Sequence, residues 1–316
     1  MSVAAGEIGT QQRPLYGIAL KVISVTVFVV MSSLIKAAGT LPPGQIVFFR
    51  SFFAIFPIFI MLAWQRELTT AFHTRHPVSH ILRGLVGVAS MGFSFFGLTR
   101  LPLPEAITLN YAQPLLVVVF SAIFIGEVVR IYRWSAVIVG FVGVIVIAWP
   151  NLTLLTSGAS LGRDEVAGVL AILLGTATSA VATLLVRRLV MTEKTPTIVL
   201  WFSVTATVVS LFTIPFGWAP LTHWQIVALV SAGICGGIGQ ILMTQCYRHA
   251  ELSTIAPFEY TSMVLAIIVG YFAFGDVPTL YTLVGGLLVA AAGIFIIWRE
   301  RQLGLKRAAA RRFVQQ

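Results

Sequence analysis

Apolar runs of about 20 residues, the length a helix needs to cross a bilayer, recur ten times along this chain. Prolines, glycines and charged residues punctuate them. They predict helical segments at 15–36, 43–63, 81–99, 103–125, 132–149, 166–187, 196–216, 224–246, 252–274 and 279–298, numbered 1 to 10 in that order. Trp64, Trp134, Trp149, Trp218, Trp224 and Trp298 fall at segment ends, where amphipathic rings favour the headgroup region; Trp201 lies inside segment 7.

The pattern also repeats. IVFFRS at 46–51 matches IVLWFS at 198–203, and FIGE at 124–127 matches AFGD at 273–276. Tyr111 pairs with Tyr260, and Gly17 through Lys36 aligns with Gly168 through Arg187. Five segments make one copy. Five is odd, so the second copy enters the membrane from the opposite side, an arrangement built for secondary transport with the substrate between the copies. The expected fold is an all-α integral membrane protein of ten transmembrane helices in two inverted five-helix repeats. Its parts are an N-terminal tail at 1–14, a first repeat at 15–150, an external linker at 151–165, a second repeat at 166–298 and a basic tail at 299–316.

Composition closes off the alternatives. Of 316 residues, 58% are hydrophobic and 10% charged, and the mean hydropathy is +0.93. A soluble domain runs nearer about 25% charged. The net charge of +10 reads as topology rather than as nucleic-acid binding. With the N-terminus inside, 16 of the 21 Lys and Arg residues fall on the inner side. Lys36, Arg100 and Arg163 fall outside, and Lys21 and Arg50 lie within helices. This bias places both termini in the cytoplasm, with the basic tail on anionic headgroups; the expected location is the inner membrane. The N-terminus lacks the basic start and cleavage site of a signal peptide. Cys235 and Cys246 share one segment, too far apart to bridge. No metal-ligand spacing and no GxxxxGK[ST] loop occur, so no cofactor, metal or bound ATP is expected. All five histidines and both aspartates, Asp164 and Asp276, fall in loops or at segment ends, which argues against a membrane enzyme.

The runs FFRSFFAIFPI, HILRGLVG, LTRLPLPEAITLNYAQPLLVVVFSAIFIGE, APFEYTSMVLAIIVGYFAFGD and GGLLVAAAGIFII, taken in order, resemble the EamA-type branch of the drug/metabolite transporter superfamily. The resemblance covers about residues 15–300, with Asp276 where the family usually has Glu. It implies ten helices and alternating access for a small metabolite. The nearest branches are those for S-adenosylmethionine-like and riboflavin-like substrates. Export of amino acids or other metabolites is the alternative, and an integral membrane enzyme a distant one. Small-molecule substrate and lipid are the expected partners, with no nucleic acid.

Charged groups inside lipid face the bundle interior. Lys21 and Glu259 sit at matching depth, about 6–8 Å to the cytoplasmic side of the midplane, so they suit an ion pair; snorkelling is the other reading of Lys21. Arg50 lies on the outer side, suited to substrate or to helix carbonyls. Asn110, Tyr111 and Gln113 on segment 4 mirror Glu259, Tyr260 and Ser262 on segment 9, and Gln240 and Gln245 add polar groups from segment 8. Pro114 and Pro257 interrupt segments 4 and 9. Phe49 and Trp201 are equivalent aromatic positions, fit either for packing or for stacking on a flat substrate, and Phe202 takes the place of Arg50. GICGGIGQ in segment 8 reads as close helix contact, and Glu127 as a cap beside Arg130 and Arg133.

Overall fold

The computed structural model describes residues 14–68, 71–74, 76–125, 131–156, 163–189, 192–249 and 256–314. It is all helical within those residues. The α-helices are α1 (Pro14–Ala37), α2 (Pro43–Trp64), α3 (Pro77–Leu98), α4 (Leu103–Asn110), α5 (Ala112–Ile125), α6 (Ile131–Thr156), α7 (Arg163–Leu189), α8 (Thr195–Leu211), α9 (His223–His249), α10 (Thr261–Val269) and α11 (Leu280–Val314). A 3-10 turn over Ala256–Tyr260 leads into α10, and a π turn over Gly270–Phe274 follows it. Six helical stretches are long and apolar enough to cross a membrane, and four shorter apolar ones complete the ten predicted segments. Segment 4 corresponds to α4 with α5, and segment 9 to α10 with its flanking turns.

Prolines open several of these helices. Pro43 and Pro77 start α2 and α3, and Pro196 lies in the first turn of α8, where the missing N–H has no helical partner to lose. The burial pattern is that of a membrane protein. Large apolar side chains such as Phe56, Ile60, Ile138 and Leu287 point outward. Lys21, Ser24, Gln45, Arg50, Ser51 and Thr108 are buried. Lipid accepts the first set, and the bundle interior shelters the second.

Segment 4 runs through the middle of the core, with Leu103, Ala106, Leu109, Ala112 and Leu115 all sealed. The most extensive helix pairings are α1 on α9, α3 on α7, α6 on α11, α2 on α9 and α2 on α8. The α6–α11 crossing is backbone-tight. A Cβ on Gly143 would lie 2.7 Å from the Gly285 carbonyl, and one on Gly285 would lie 2.5 Å from that of Gly143. The glycines of GICGGIGQ do the same for α9. Gly233 and Gly237 face α2, and Gly239 faces Phe28 of α1, as expected of small residues at membrane helix contacts.

Four boundaries differ from expectation by more than a turn. α8 ends at Leu211 rather than 216, and a 3-10 turn over Ile214–Phe216 follows it. α3 begins at Pro77 rather than 81, which draws His80 into the helix and sets Arg83 in its second turn. α6 runs through Pro150 to Thr156. α11 continues from Leu280 to Val314, so the basic tail is not a separate segment but the end of one helix. At about 1.5 Å per residue that helix far outreaches an apolar core of about 30 Å. Its last stretch is rich in Arg and Ala, strong helix formers that need no apolar neighbour. Glu127 and Arg130, read from sequence as a cap interaction, lie outside the described residues, as do most of the N-terminal tail and part of the linker.

Candidate substrate-binding site

Segments 4 and 9 are both broken at their equivalent tyrosines. α4 ends at Asn110, Tyr111 adopts φ −68° and ψ −8°, and α5 starts at Ala112. Tyr260 adopts φ −70° and ψ −9° immediately before α10. In segment 4 the cause is Pro114, which has no N–H for the Asn110 carbonyl and whose ring crowds it. Pro257 likewise stands in the 3-10 turn that opens segment 9. The two rings meet edge to face, with centroids 5.0 Å apart at 68°. The Tyr111 hydroxyl shares a short hydrogen bond with the Ser262 hydroxyl. The Tyr260 hydroxyl lies against α11, where a side chain at Gly293 would collide with it.

Glu259, one residue before this tyrosine, receives Lys21 of α1 in an ion pair. The lysine side chain is 1% exposed and the glutamate 43%. The cation is therefore locked inside the bundle and the acid is open on one side. The snorkelling reading of Lys21 does not hold, because its ammonium turns into the bundle toward Glu259.

Asn110 and Gln113 are tied to α7. The Asn110 side-chain amide donates to the Ala106 carbonyl at 2.8 Å, and its oxygen accepts from the Thr176 hydroxyl at 3.2 Å. The Gln113 amide donates to the Thr183 hydroxyl at 3.0 Å. Gln240 and Gln245 of α9 are partly exposed and make no side-chain hydrogen bond within the described residues.

Arg50 and Trp201 belong to a second cluster, between α2, α3 and α8. Trp201 stacks on His80, with centroids 5.6 Å apart at 26°, and its indole N–H donates to the Phe72 carbonyl at 3.4 Å. One residue on, the Phe202 ring carries the Arg83 Cζ 3.7 Å from its centroid and the Arg50 Cζ at 5.9 Å. Phe49, the equivalent of Trp201, joins instead a run of rings along α2, edge-on to Phe48 and stacked on Phe53. Arg50 makes no bond to helix carbonyls through Nε or Nη1.

Sequence reasoning missed two features. Arg83, the third residue of segment 3, reads from sequence as a charge at the inner interface; Pro77, more than a turn earlier, sets it in the second turn of α3. The other is at the far end of α1. Lys36 pairs with Asp276 at 2.6 Å and donates to the Leu101 carbonyl at 2.9 Å. The same Asp276 oxygen accepts the Leu103 N–H at 2.9 Å. Gly275 makes this possible, since its φ of +69° turns the chain back so that Asp276 faces the bundle. Lys36 and Asp276 lie at corresponding ends of segments 1 and 9, the two segments already suspected of sharing an ion pair. No group of three or more metal-ligating side chains occurs among the described residues.

The EamA-like transporter family model matches residues 15–149 and again 166–299. The chain is 29% identical over 286 residues to the pseudopaline exporter of Pseudomonas aeruginosa, covering 88% of this chain and 94% of that one. It is 25% identical over 273 residues to the S-adenosylmethionine uptake transporter of Rickettsia bellii, covering 86% and 90%. It is 26% identical over 268 residues to a riboflavin transporter of Rhizobium johnstonii, covering 84% and 85%. A solved crystal structure shares the fold, with a TM-score of 0.64 over 91% of this chain and 98% of that chain at 19% identity.

Proposed function

The chain belongs to the EamA-like transporter family, and on that premise we propose that it moves a small polar or heteroaromatic metabolite across the inner membrane by alternating access, both termini cytoplasmic. The substrate is of the kind handled by its relatives, S-adenosylmethionine-like or riboflavin-like. Transport is secondary or facilitative. The inverted-repeat reading finds support in the pairings: exchanging the two halves turns α1 on α9 into α7 on α3, and returns α2 on α8 and α6 on α11 to themselves. The equivalent tyrosines meeting at two matching helix breaks fit the same exchange.

The observation that carries the mechanism is the Lys21–Glu259 pair beside that double break. α1 is tied to segment 9 twice, by Lys21–Glu259 near one face and Lys36–Asp276 near the other. The two lysines are separated by about 22 Å along α1. Alternating access requires one end of a helix pair to part while the other holds. One ion pair at each end of a single helix pair supplies such gates. The tyrosines, Asn110, Gln113, Gln240 and Gln245 then line the path between them.

The test is counterflow in proteoliposomes. Protein preloaded with unlabelled S-adenosylmethionine or riboflavin should accumulate the labelled compound saturably, and Glu259→Gln should lose that accumulation. No accumulation of these or of any compound in a metabolite panel overturns the reading.

A further inference from the structure

Six described residues bury a side-chain nitrogen or oxygen that makes no hydrogen bond: Arg50, Ser51, His80, Arg83, Glu165 and Ser203. All but Glu165 lie on α2, α3 and α8, which pack on one another. Arg50 is 5% exposed, and Nε and Nη1 of both arginines are enclosed without an acceptor. Both guanidiniums lean on the Phe202 ring. Gly87 of α3 admits that ring, because a Cβ there would lie 2.6 Å from it. Gly236 brings the α9 backbone against Arg50, where a Cβ would lie 3.1 Å from Nε.

Charge bookkeeping isolates this pair. Among the described residues Lys21 has Glu259, Lys36 has Asp276 and Lys194 has Glu67. Among the same residues the two arginines with enclosed, unbonded nitrogens, Arg50 and Arg83, have no ion-pair partner. Arginine does not shed its proton in a protein. Two enclosed positive charges that share one ring, with cation–π attraction as their compensation, call for an anion to offset their burial. Each guanidinium is a planar fork that matches a carboxylate. Arg50 lies about 5 Å from the middle of α2 and Arg83 about 7 Å from the middle of α3, on opposite sides of the midplane. Their side chains converge at the level where transporters of this architecture hold substrate.

We propose that Arg50 and Arg83, meeting over Phe202, form a subsite that takes a carboxylate of the transported metabolite. This rests on the transporter reading and adds to it the charge the substrate brings. S-adenosylmethionine carries such a carboxylate and riboflavin does not, so the subsite favours the first kind.

The test uses purified full-length protein and thermal shift with a panel of mono-, di- and tricarboxylate metabolites, S-adenosylmethionine, riboflavin and inorganic phosphate. At least one carboxylate should raise the apparent melting temperature saturably. Arg50→Gln and Arg83→Gln should each weaken its apparent affinity about tenfold or more, the loss of a charge-assisted bond. Arg50→Lys and Arg83→Lys keep the charge but not the fork and should lose less; they carry the comparison if a Gln variant fails to fold. The assignment is overturned if no carboxylate binds the wild type, if variants and wild type bind alike, or if phosphate binds as tightly with the same losses. Proteoliposome uptake separates this failure from that of the transporter reading. If wild type and all four variants transport riboflavin equally while carboxylates are ignored, the subsite is wrong and the transporter stands. If the wild type transports nothing, both fall.

Discussion

Tyr111 and Tyr260 occupy equivalent places in the two halves of the chain, and each stands where its membrane segment breaks, with backbone angles that agree within a few degrees. Their rings meet edge to face 5.0 Å apart. A helix break at membrane depth frees backbone groups that are tolerated only inside protein or along a polar path. Along segment 9 the tyrosine contact lies beside the Lys21–Glu259 pair, and the Lys36–Asp276 pair lies at the segment's far end.

The first prediction concerns the buried pair. Glu259→Gln is nearly isosteric and should leave the protein folded while abolishing counterflow. It strands the Lys21 ammonium at 1% exposure. A partly open pair is worth less than a fully buried one, so the cost should be about 1–3 kcal/mol. Adding Lys21→Met should return much of that stability, measured as a double-mutant cycle. Additive losses would mean that the two residues do not depend on each other. Retained gradient-independent exchange with lost accumulation would assign Glu259 to proton coupling rather than to a gate.

The second concerns the opposite end. Asp276→Asn should loosen the contact that holds Lys36, the Leu101 carbonyl and the Leu103 N–H together. A cysteine placed at Leu103, fully buried in the wild type, should then react severalfold faster with a membrane-impermeant thiol reagent. Unchanged labelling would make the pair a static brace.

Trp201 gives the third. Its ring is committed to His80 and its N–H to the Phe72 carbonyl. Trp201→Ala should therefore cost about 3 kcal/mol of stability and leave the apparent affinity for substrate within a factor of three. Trp201→Phe should cost less. A large affinity loss with unchanged stability would return the residue to the substrate path.

The fourth prediction tests the α6–α11 crossing. Gly285→Ala places a methyl 2.5 Å from the Gly143 carbonyl. The helices must part, and the expected cost is about 1–3 kcal/mol, seen as a lower melting temperature. Gly39→Ala meets no neighbour within 4 Å but has a φ of +83°. It should cost only about 1 kcal/mol of backbone strain. Equal effects would remove the packing explanation.

Topology is the fifth. Single cysteines at His73 and Val277, both exposed, should be labelled from opposite sides of intact cells, His73 from the cytoplasm and Val277 from outside. Labelling of both from one side would sink the inverted arrangement.

What the sequence determined by itself was the number of apolar segments and the height of a residue along each of them. Apolar length placed the ten segments, and rise per residue put Lys21 and Glu259 at one depth. Repeat spacing paired Tyr111 with Tyr260. None of these needs knowledge of a neighbour, because burial in lipid is set by the segment's own side chains. What only the tertiary structure decided was direction around each helix axis. Lys36 and Asp276 were visible as charges at segment ends, but that they meet depends on the left-handed turn at Gly275 and on α1 lying against segment 9. By sequence Arg83 is one more basic residue near a segment end; only the packing of α8 on α3 lays Phe202 against it. Trp201 and Phe49 were equivalent by sequence, yet one found His80 and the other a neighbouring phenylalanine. In a bundle whose helices are apolar all round, hydrophobicity specifies depth but leaves rotation free. Small residues, broken turns and a few buried charges fix the rotation, and they act only through the partner they meet.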